Sequence, residues 1–412
     1  MMVRHPGRLV ILTDFGRARG GASKLAMLHA GLMAGRGLPV TVFAGDEGGD
    51  EPAGAELVAL GARRLLEQGR VAAALGGLWN RAAHSALRDW IAANDRPDTI
   101  YHVHGIQQTL SPSVLAPLGA VRHRVVLHAH DYFLACPNGA FFDYRAAATC
   151  TRRPLSMACL ARNCDKRSRA QKLWRVARQA LQDRGAAPLF RDGRVALIHE
   201  GMGARLWRDR MAGVRAVVIP NPADRPAELA PDPGSCDEFL YVGDIHAYKG
   251  VFLLADAARR AGVRLRFVGE GQDRARLQDA YPEHLFDGWA DRAGLARRLM
   301  GARALVAPTL GPEPYGLAPV EALLTGVPVI LSDGMLLARD ITAGGAGAVF
   351  PAGDAAALAT LLADLARDDA RIRSMAAHGP RTAARISLAP GDWGDRLLAL
   401  YAEMLAEAEG RR

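Results

Sequence analysis

The sequence predicts an α/β protein of two domains, each built around a mostly parallel sheet. Three observations carry that prediction: the length, an alternation of β-rich runs with helical stretches that occurs twice, and a proline-rich stretch between the two series. A chain of 412 residues exceeds what a single core usually supports. Half of the residues are hydrophobic and 23% are charged, a balance with ample apolar surface to bury, which excludes a disordered chain.

The first series has a β-rich run at 8–13, a helical stretch at 22–36 and further β-rich runs at 39–44, 99–104 and 124–128. The second restarts with a strand at 239–242, a helix at 251–261, a strand at 264–268, a helix at 292–301 and a strand at 304–307. Such alternation argues for βαβ units and parallel sheets. Between the series, residues 220–236 hold five prolines: Pro220, Pro222, Pro226, Pro231 and Pro233. Prolines remove backbone donors and disfavour helix in the residue before them, as a hinge requires. The expected domains are therefore 1–222, with a cysteine-bearing insertion at 136–164, a linker at 223–238, and a second domain at 239–388. The last segment, 389–412, carries an apolar helical stripe (Trp393, Leu397, Leu400, Tyr401, Met404) that requires a partner surface, expected on the first domain.

Charge and targeting narrow the class further. Lys and Arg number 52 against 43 Asp and Glu, a formal charge of +9, which gives weak attraction to anionic surfaces. No nucleic-acid recognition motif accompanies it, so no nucleic-acid partner is expected. The apolar run at 9–12 is stopped by Asp14 and is too short for a signal-peptide core. No run of about eighteen apolar residues occurs, so no membrane span is expected, and the reading is of a cytoplasmic protein. Residues 162–178 hold seven Lys or Arg and one Asp with an apolar stripe. Such a helix either lies on an anionic membrane or packs on the core with a solvated face. Four of the five cysteines, Cys136, Cys150, Cys159 and Cys164, fall in one cluster. Only the last pair has a spacing usual for zinc ligands, so a structural zinc and four small buried thiols stand as alternatives.

The stretch richest in chemistry is Glu313-Pro-Tyr315-Gly316-Leu317-Ala-Pro319-Val-Glu321, followed by Gly326-Val-Pro-Val. Pro319 suits the first turn of a helix, which would place Glu321 in that turn and Glu313 in the loop before it. A first-turn glutamate is favoured by the helix dipole alone. A second acid, held between prolines in a loop directly after an apolar strand, lies where open α/β sheets bind ligands. Upstream, the strand at 239–242 leads into Gly243-Asp244 and then Lys249-Gly250 at a helix start. A cation there is disfavoured unless an anion lies between it and the helix, which invites a phosphate. In the first domain, Gly20-Gly21-Ala22-Ser23 follows the opening strand and begins a helix, leaving N–H groups for a ligand. His128, His130 and Asp131 stand at the end of another apolar strand.

The two glutamates with these neighbours resemble the signature of glycosyltransferase family 4, and the resemblance is strongest over 239–354. It implies a retaining GT-B glycosyltransferase with two Rossmann-like domains facing across a cleft, the first on the acceptor side and the second binding a nucleotide sugar. By that resemblance Glu313 holds donor-sugar hydroxyls, Glu321 holds the ribose diol and Lys249 meets the pyrophosphate, with Gly243, Tyr315, Gly316 and Leu317 in the same site. Gly20 and Gly21 close over the phosphate or acceptor, and His130 stands near the reacting sugar. The donor would be a UDP- or GDP-sugar, with no metal required for catalysis, and the acceptor a glycan or lipid-linked hydroxyl in bacterial surface polysaccharide synthesis. One departure is Asp244, where the family commonly has arginine. It keeps a degenerate nucleotide-sugar-binding protein in view, beside a GT-B sugar-nucleotide epimerase.

Overall fold

A computed structural model describes residues 5–207, 213–226, 228–230 and 232–410. Residues 1–4 of the opening segment, and Ala227 and Pro231 of the expected linker, lie outside the described residues. The chain forms two compact units. The first comprises Met1–Gly139, Arg152–Ile219 and Gly391–Arg412, and the second comprises Ala140–Thr151 and Pro220–Pro390.

The strands in chain order begin with β1 (Arg8–Thr13), β2 (Val40–Ala44), β3 (Ala55–Ala59), β4 (Thr99–Val103) and β5 (Val125–Ala129). A hairpin of β6 (Phe142–Asp143) and β7 (Ala148–Thr149) follows, then β8 (Arg194–Leu197) and β9 (Ala216–Val218). The second unit adds β10 (Glu238–Val242), β11 (Arg264–Val268), β12 (Leu285–Gly288), β13 (Ala302–Ala307), β14 (Val329–Ser332) and β15 (Gly347–Phe350). The first unit's sheet has seven strands in the order β3-β2-β1-β4-β5-β8-β9, and the second unit's has six in the order β12-β11-β10-β13-β14-β15. Every pairing in both is parallel. The central strands are buried on both faces, and this is why they read as unbroken apolar runs rather than alternating ones.

Strand order reverses once in each sheet, between β1 and β4 in the first and between β10 and β13 in the second. At such a switch point the loops leaving the carboxyl ends of the two strands diverge and leave a crevice. Sequence motifs and topology therefore meet: Asp14 and the loop after β4 flank one switch point, and Gly243 to Gly250 with the Glu313 loop flank the other.

The terminal helix Pro390–Glu409 clusters from Gly391 onward with the first unit. Trp393, Leu397, Tyr401, Met404 and Leu405 are all buried. Arg36 ties its start through Gly391 O and Asp395, each at 2.8 Å, while Arg194 and Arg215 both reach Glu407 near its end. One sequence expectation needs correction. Residues 140–151, expected within the first domain's insertion, cluster with the second unit, where Phe142 lies against Gly311 and Tyr144 meets the Tyr248 ring edge-on at 5.7 Å. The basic segment forms the helix Arg169–Asp192, but Lys172 and Arg178 are buried in it, 1% and 6% exposed, and Arg175 pairs with Asp165 at 2.8 Å. Three of its cations therefore face inward rather than toward a surface. Among the described residues no helix is long and apolar enough to cross a membrane.

Candidate active site

In the second unit, β10 ends at Val242, Gly243 turns the chain at φ 149°, and a short 3-10 turn, Ala247–Lys249, precedes the helix Val251–Ala261. Gly250 joins them at φ 78°, a left-handed conformation open to glycine without steric cost. Lys249 Nζ lies 2.5 Å from Glu313 Oε2, and both side chains are about a quarter exposed. Burial works to lower the Lys249 pKa. The Glu313 carboxylate outweighs it, with help from Tyr248 and Asp244, and the ammonium stands above the usual lysine range. Opposite charges at this distance favour each other's ionised forms.

The Glu313 backbone is pinned to the loop after β14, through Glu313 N to Gly334 O and Leu336 N to Glu313 O. Gly316 then caps the helix Leu317–Leu324 at φ 105°, and an added Cβ there would meet Met335 Cε at 2.7 Å. This helix begins two residues before Pro319, so Glu321 stands in the second turn rather than the expected first. Tyr315 is buried, and its hydroxyl donates to Ile386 O at 2.6 Å. Its phenol thus fastens the loop, and only its backbone faces the site's chemistry. Asp244 is exposed, and its carbonyl accepts from the Tyr241 hydroxyl at 2.8 Å.

In the first unit a cavity of about 340 Å³ opens at the switch point, lined by Asp14, Gly20, Gly21, His104, His128 and His130, among others. Asp14 organises its wall. Its carboxylate accepts from the backbone N–H groups of Gln107, Gln108, Thr109 and Leu110 and from the Thr109 hydroxyl. Ser23 Oγ accepts from Arg19 N and Gly20 N at 3.0 and 3.1 Å. A Cβ built on Gly20 or Gly21 would meet nothing within 4 Å. The protein's own packing does not demand glycine at either position; what the missing side chains leave is cavity.

His130 is one end of a buried chain of side chains. Its Nε2 lies 2.9 Å from His104 Nδ1, His104 Nε2 lies 3.0 Å from His29 Nδ1, and His29 Nε2 lies 2.9 Å from the Tyr401 hydroxyl. That hydroxyl is 2.6 Å from His102 Nδ1, and His102 Nε2 is 3.0 Å from His128 Nδ1. The two end nitrogens, His130 Nδ1 and His128 Nε2, have no hydrogen-bond partner. Burial lowers the His130 pKa to about 4; burial and then His130 lower that of His29 to about 3. His102, His104 and His128 fall well below the ordinary histidine value, first by burial and then by their neighbours. All five are neutral near pH 7. His29, His102 and His104, and likewise His104, His128 and His130, bring ligand atoms within 4.8 Å of one another. Both nitrogens of His104 are already engaged by other imidazoles, so either set would break those bonds to converge on an ion.

Of the cysteines, Cys136 Sγ donates to Asn138 Oδ1 at 3.0 Å, Asn138 Nδ2 reaches Cys164 Sγ at 3.7 Å, and the Lys172 ammonium lies 3.3 Å from Cys159 Sγ. Burial works to lower the Lys172 pKa, but Cys159 and Cys164 outweigh it and raise it.

Sequence reasoning missed Asp14, His29, His102 and Tyr401. A signal was available for part of the set, because 102/104 and 128/130 are both i, i+2 pairs, which place their side chains on one face of a strand.

Known proteins share parts of this architecture. A model described as glycosyl transferases group 1 matches residues 236–368, the span that holds Lys249, Glu313 and Glu321. The group 1 domain thus coincides with most of the second unit. A phosphatidyl-myo-inositol mannosyltransferase of Mycobacterium leprae is 33% identical over 196 residues, 44% of this chain and 52% of that protein. The chain thus spans about half the length of these curated relatives. A sucrose-phosphate synthase from Thermosynechococcus elongatus superposes with a TM-score of 0.72 at 18% identity, covering 97% of this chain and 99% of that one. Anabaena Alr3699/HepE in complex with UDP gives 0.64 at 16% identity, covering 97% and 100%. These likenesses show the fold, which is GT-B.

Proposed function

We propose that the protein transfers a hexose from a nucleotide-diphosphate sugar to an acceptor hydroxyl with retention of configuration. The observation that carries this reading is the Lys249–Glu313 pair at the switch point of the second sheet, beside the helix starts at Val251 and Leu317. A pyrophosphate needs a cation and free N–H groups, and this corner has both. Lys249 would turn from Glu313 to the phosphate, releasing a carboxylate whose two oxygens accept sugar hydroxyls in charge-assisted hydrogen bonds. Glu321, one turn into its helix, would take the ribose diol. Gly243, Gly316 and Leu317 would offer backbone to the donor, as would Tyr315, while Gly20 and Gly21 would admit phosphate or acceptor.

In the reaction the bond from the anomeric carbon to the donor phosphate oxygen breaks. The acceptor oxygen bonds to that carbon on the same face, and its proton passes to the departing phosphate. No protein nucleophile is required, and His130 would position the reacting sugar. The neighbour solved with UDP supports a uridine donor, and the relatives named phosphatidyl-myo-inositol mannosyltransferase support a lipid-linked acceptor; the transfer would then take place at the inner face of the cell membrane. Asp244 favours a second reading, a nucleotide-sugar-binding protein without turnover, because it puts an anion where a phosphate-neutralising charge is expected.

The test is a panel of UDP-, GDP- and ADP-sugars, read by thermal shift and slow donor hydrolysis, with Lys249→Ala and Glu313→Ala alongside. Stabilisation and hydrolysis with one donor, both lost in the two variants, are expected. Binding without hydrolysis or transfer to any acceptor would favour the non-catalytic reading, and no response to any donor would overturn both.

A further inference from the structure

We propose that Tyr401 is a positioning residue that holds five imidazoles in one shared tautomer, so that of the two end nitrogens, His130 Nδ1 and His128 Nε2, one carries a proton and the other is bare. The argument starts from the direction of the chain. Each link joins Nε2 of one histidine to Nδ1 of the next, from His130 through His104 to His29, and again from His102 to His128. Tyr401 bridges the two halves with the same polarity, His29 Nε2 on one side and His102 Nδ1 on the other.

A neutral imidazole has one N–H and one bare nitrogen, and a hydroxyl has one proton to give and lone pairs to receive. If Tyr401 donates to His102 Nδ1, His102 must carry its proton on Nε2 and give it to His128 Nδ1, leaving His128 an outward Nε2–H. The hydroxyl must then accept from His29 Nε2–H, which makes His29 Nδ1 an acceptor for His104 Nε2–H. His104 Nδ1 in turn accepts from His130 Nε2–H, and His130 Nδ1 is bare. All five are then Nε2–H tautomers. If Tyr401 donates the other way, all five are Nδ1–H, His130 presents the donor and His128 the acceptor. Any other arrangement sets two protons or two lone pairs against each other at a buried contact, or needs an imidazolium where burial disfavours charge.

Both free ends belong to residues that line one cavity, and their rings stack at 4.3 Å with an interplanar angle of 7°. Both end nitrogens are themselves buried, so the shared tautomer decides which of the two rings carries the unpaired N–H; it does not rest on the transferase reading.

The test is the two-bond nitrogen–proton NMR spectrum of the full-length protein with labelled histidines, at pH 7.5. In the wild type, His29, His102, His104, His128 and His130 are expected to show one tautomer. Tyr401→Phe removes the bridge and leaves His29 Nε2 and His102 Nδ1 facing carbon. A buried lone pair without a partner is tolerated better than a buried N–H without one, so both nitrogens become bare. His29, His104 and His130 then become Nδ1–H while His102 and His128 become Nε2–H, and the two halves show opposite tautomers. A mixed pattern in the wild type, an imidazolium among the five, or a uniform pattern in Tyr401→Phe would each overturn the proposal. The wild-type spectrum decides even where the variant does not fold, because a uniform pattern across the His29–His102 gap requires transmission by Tyr401. A uniform wild-type pattern in a protein that transfers no sugar would overturn the transferase reading alone.

Discussion

Replacing Gly250 by alanine tests whether the corner that presents Lys249 is as tightly built as its geometry indicates. A Cβ at Gly250 would lie 1.9 Å from the carbonyl oxygen of Pro308 and 2.8 Å from its carbon. That oxygen has to retreat by more than about 1 Å before the contact reaches even 3.0 Å, below which Cβ contacts are essentially unknown. Crowding of this kind costs about 1–3 kcal/mol, and holding alanine at the observed φ of 78° adds about 1–2 kcal/mol. The same helix supplies the control. Gly262, at its other end, has φ 66° and open space around the added Cβ, so Gly262→Ala carries the conformational cost of about 1–2 kcal/mol alone. Urea denaturation should therefore separate the two variants by about 1–3 kcal/mol. Pro308 leads into the Glu313 loop and Gly250 follows Lys249, so the displacement also parts the ion pair. A misplacement of about 1 Å at reacting groups costs on the order of a hundredfold in turnover, which Gly262→Ala should not show. Equal urea midpoints and equal turnover for the two variants would refute the reasoning.

Further outcomes follow from buried polar groups. The folded pKa values of about 3 for His29 and about 4 for His130 lie below the ordinary 6.5, so the unfolded chain binds more protons between pH 4 and 6.5. Stability contributed by these groups is complete above pH 6.5 and is lost as the pH falls through that window, by about 1.4 kcal/mol per pH unit for each histidine. Urea midpoints that stay flat from pH 7 to pH 5 would contradict it. Arg303, 3% exposed, donates to the carbonyls of Leu365, Gly234 and Cys236 and to Asp369. Arg303→Met strands those acceptors and should lower the second unit's stability by about 3 kcal/mol in urea; a loss under about 1 kcal/mol would sink that account.

The sequence made some elements legible because local chemistry marks their ends. The helix Val251–Ala261 lies between Gly250 and Gly262, both in the left-handed conformation, and the strand Arg264–Val268 starts directly after, so its bounds could be read to the residue. The edge strands Ala55–Ala59 and Ala216–Val218 escaped notice, since half-exposed edges mix polar and apolar residues without a long run. Pro319 does stand in the first turn of its helix, but as its third residue, so Glu321, two residues on, falls in the second turn rather than in the same one. For the basic helix two alternatives stayed open for another reason: composition counts cations but says nothing of which ones find a buried partner, as Arg175 does in Asp165. The glutamate, lysine and glycine motifs of the second unit stood out because their neighbours are contiguous in sequence. The imidazole chain did not, because His29 and Tyr401 meet across 372 positions and no periodicity connects them.

That long-range meeting has a consequence for how the molecule is made. The helix Pro390–Glu409 supplies Trp393, Leu397 and Tyr401 to the interior of the first unit, yet it is translated after the whole of the second. While the chain is emerging, the first unit has an open groove where these side chains belong, and His29 and His102 have no hydroxyl between them. Synthesis order and folding order are thus reversed for the first unit, whose interior is completed by residues translated after the whole of the second unit.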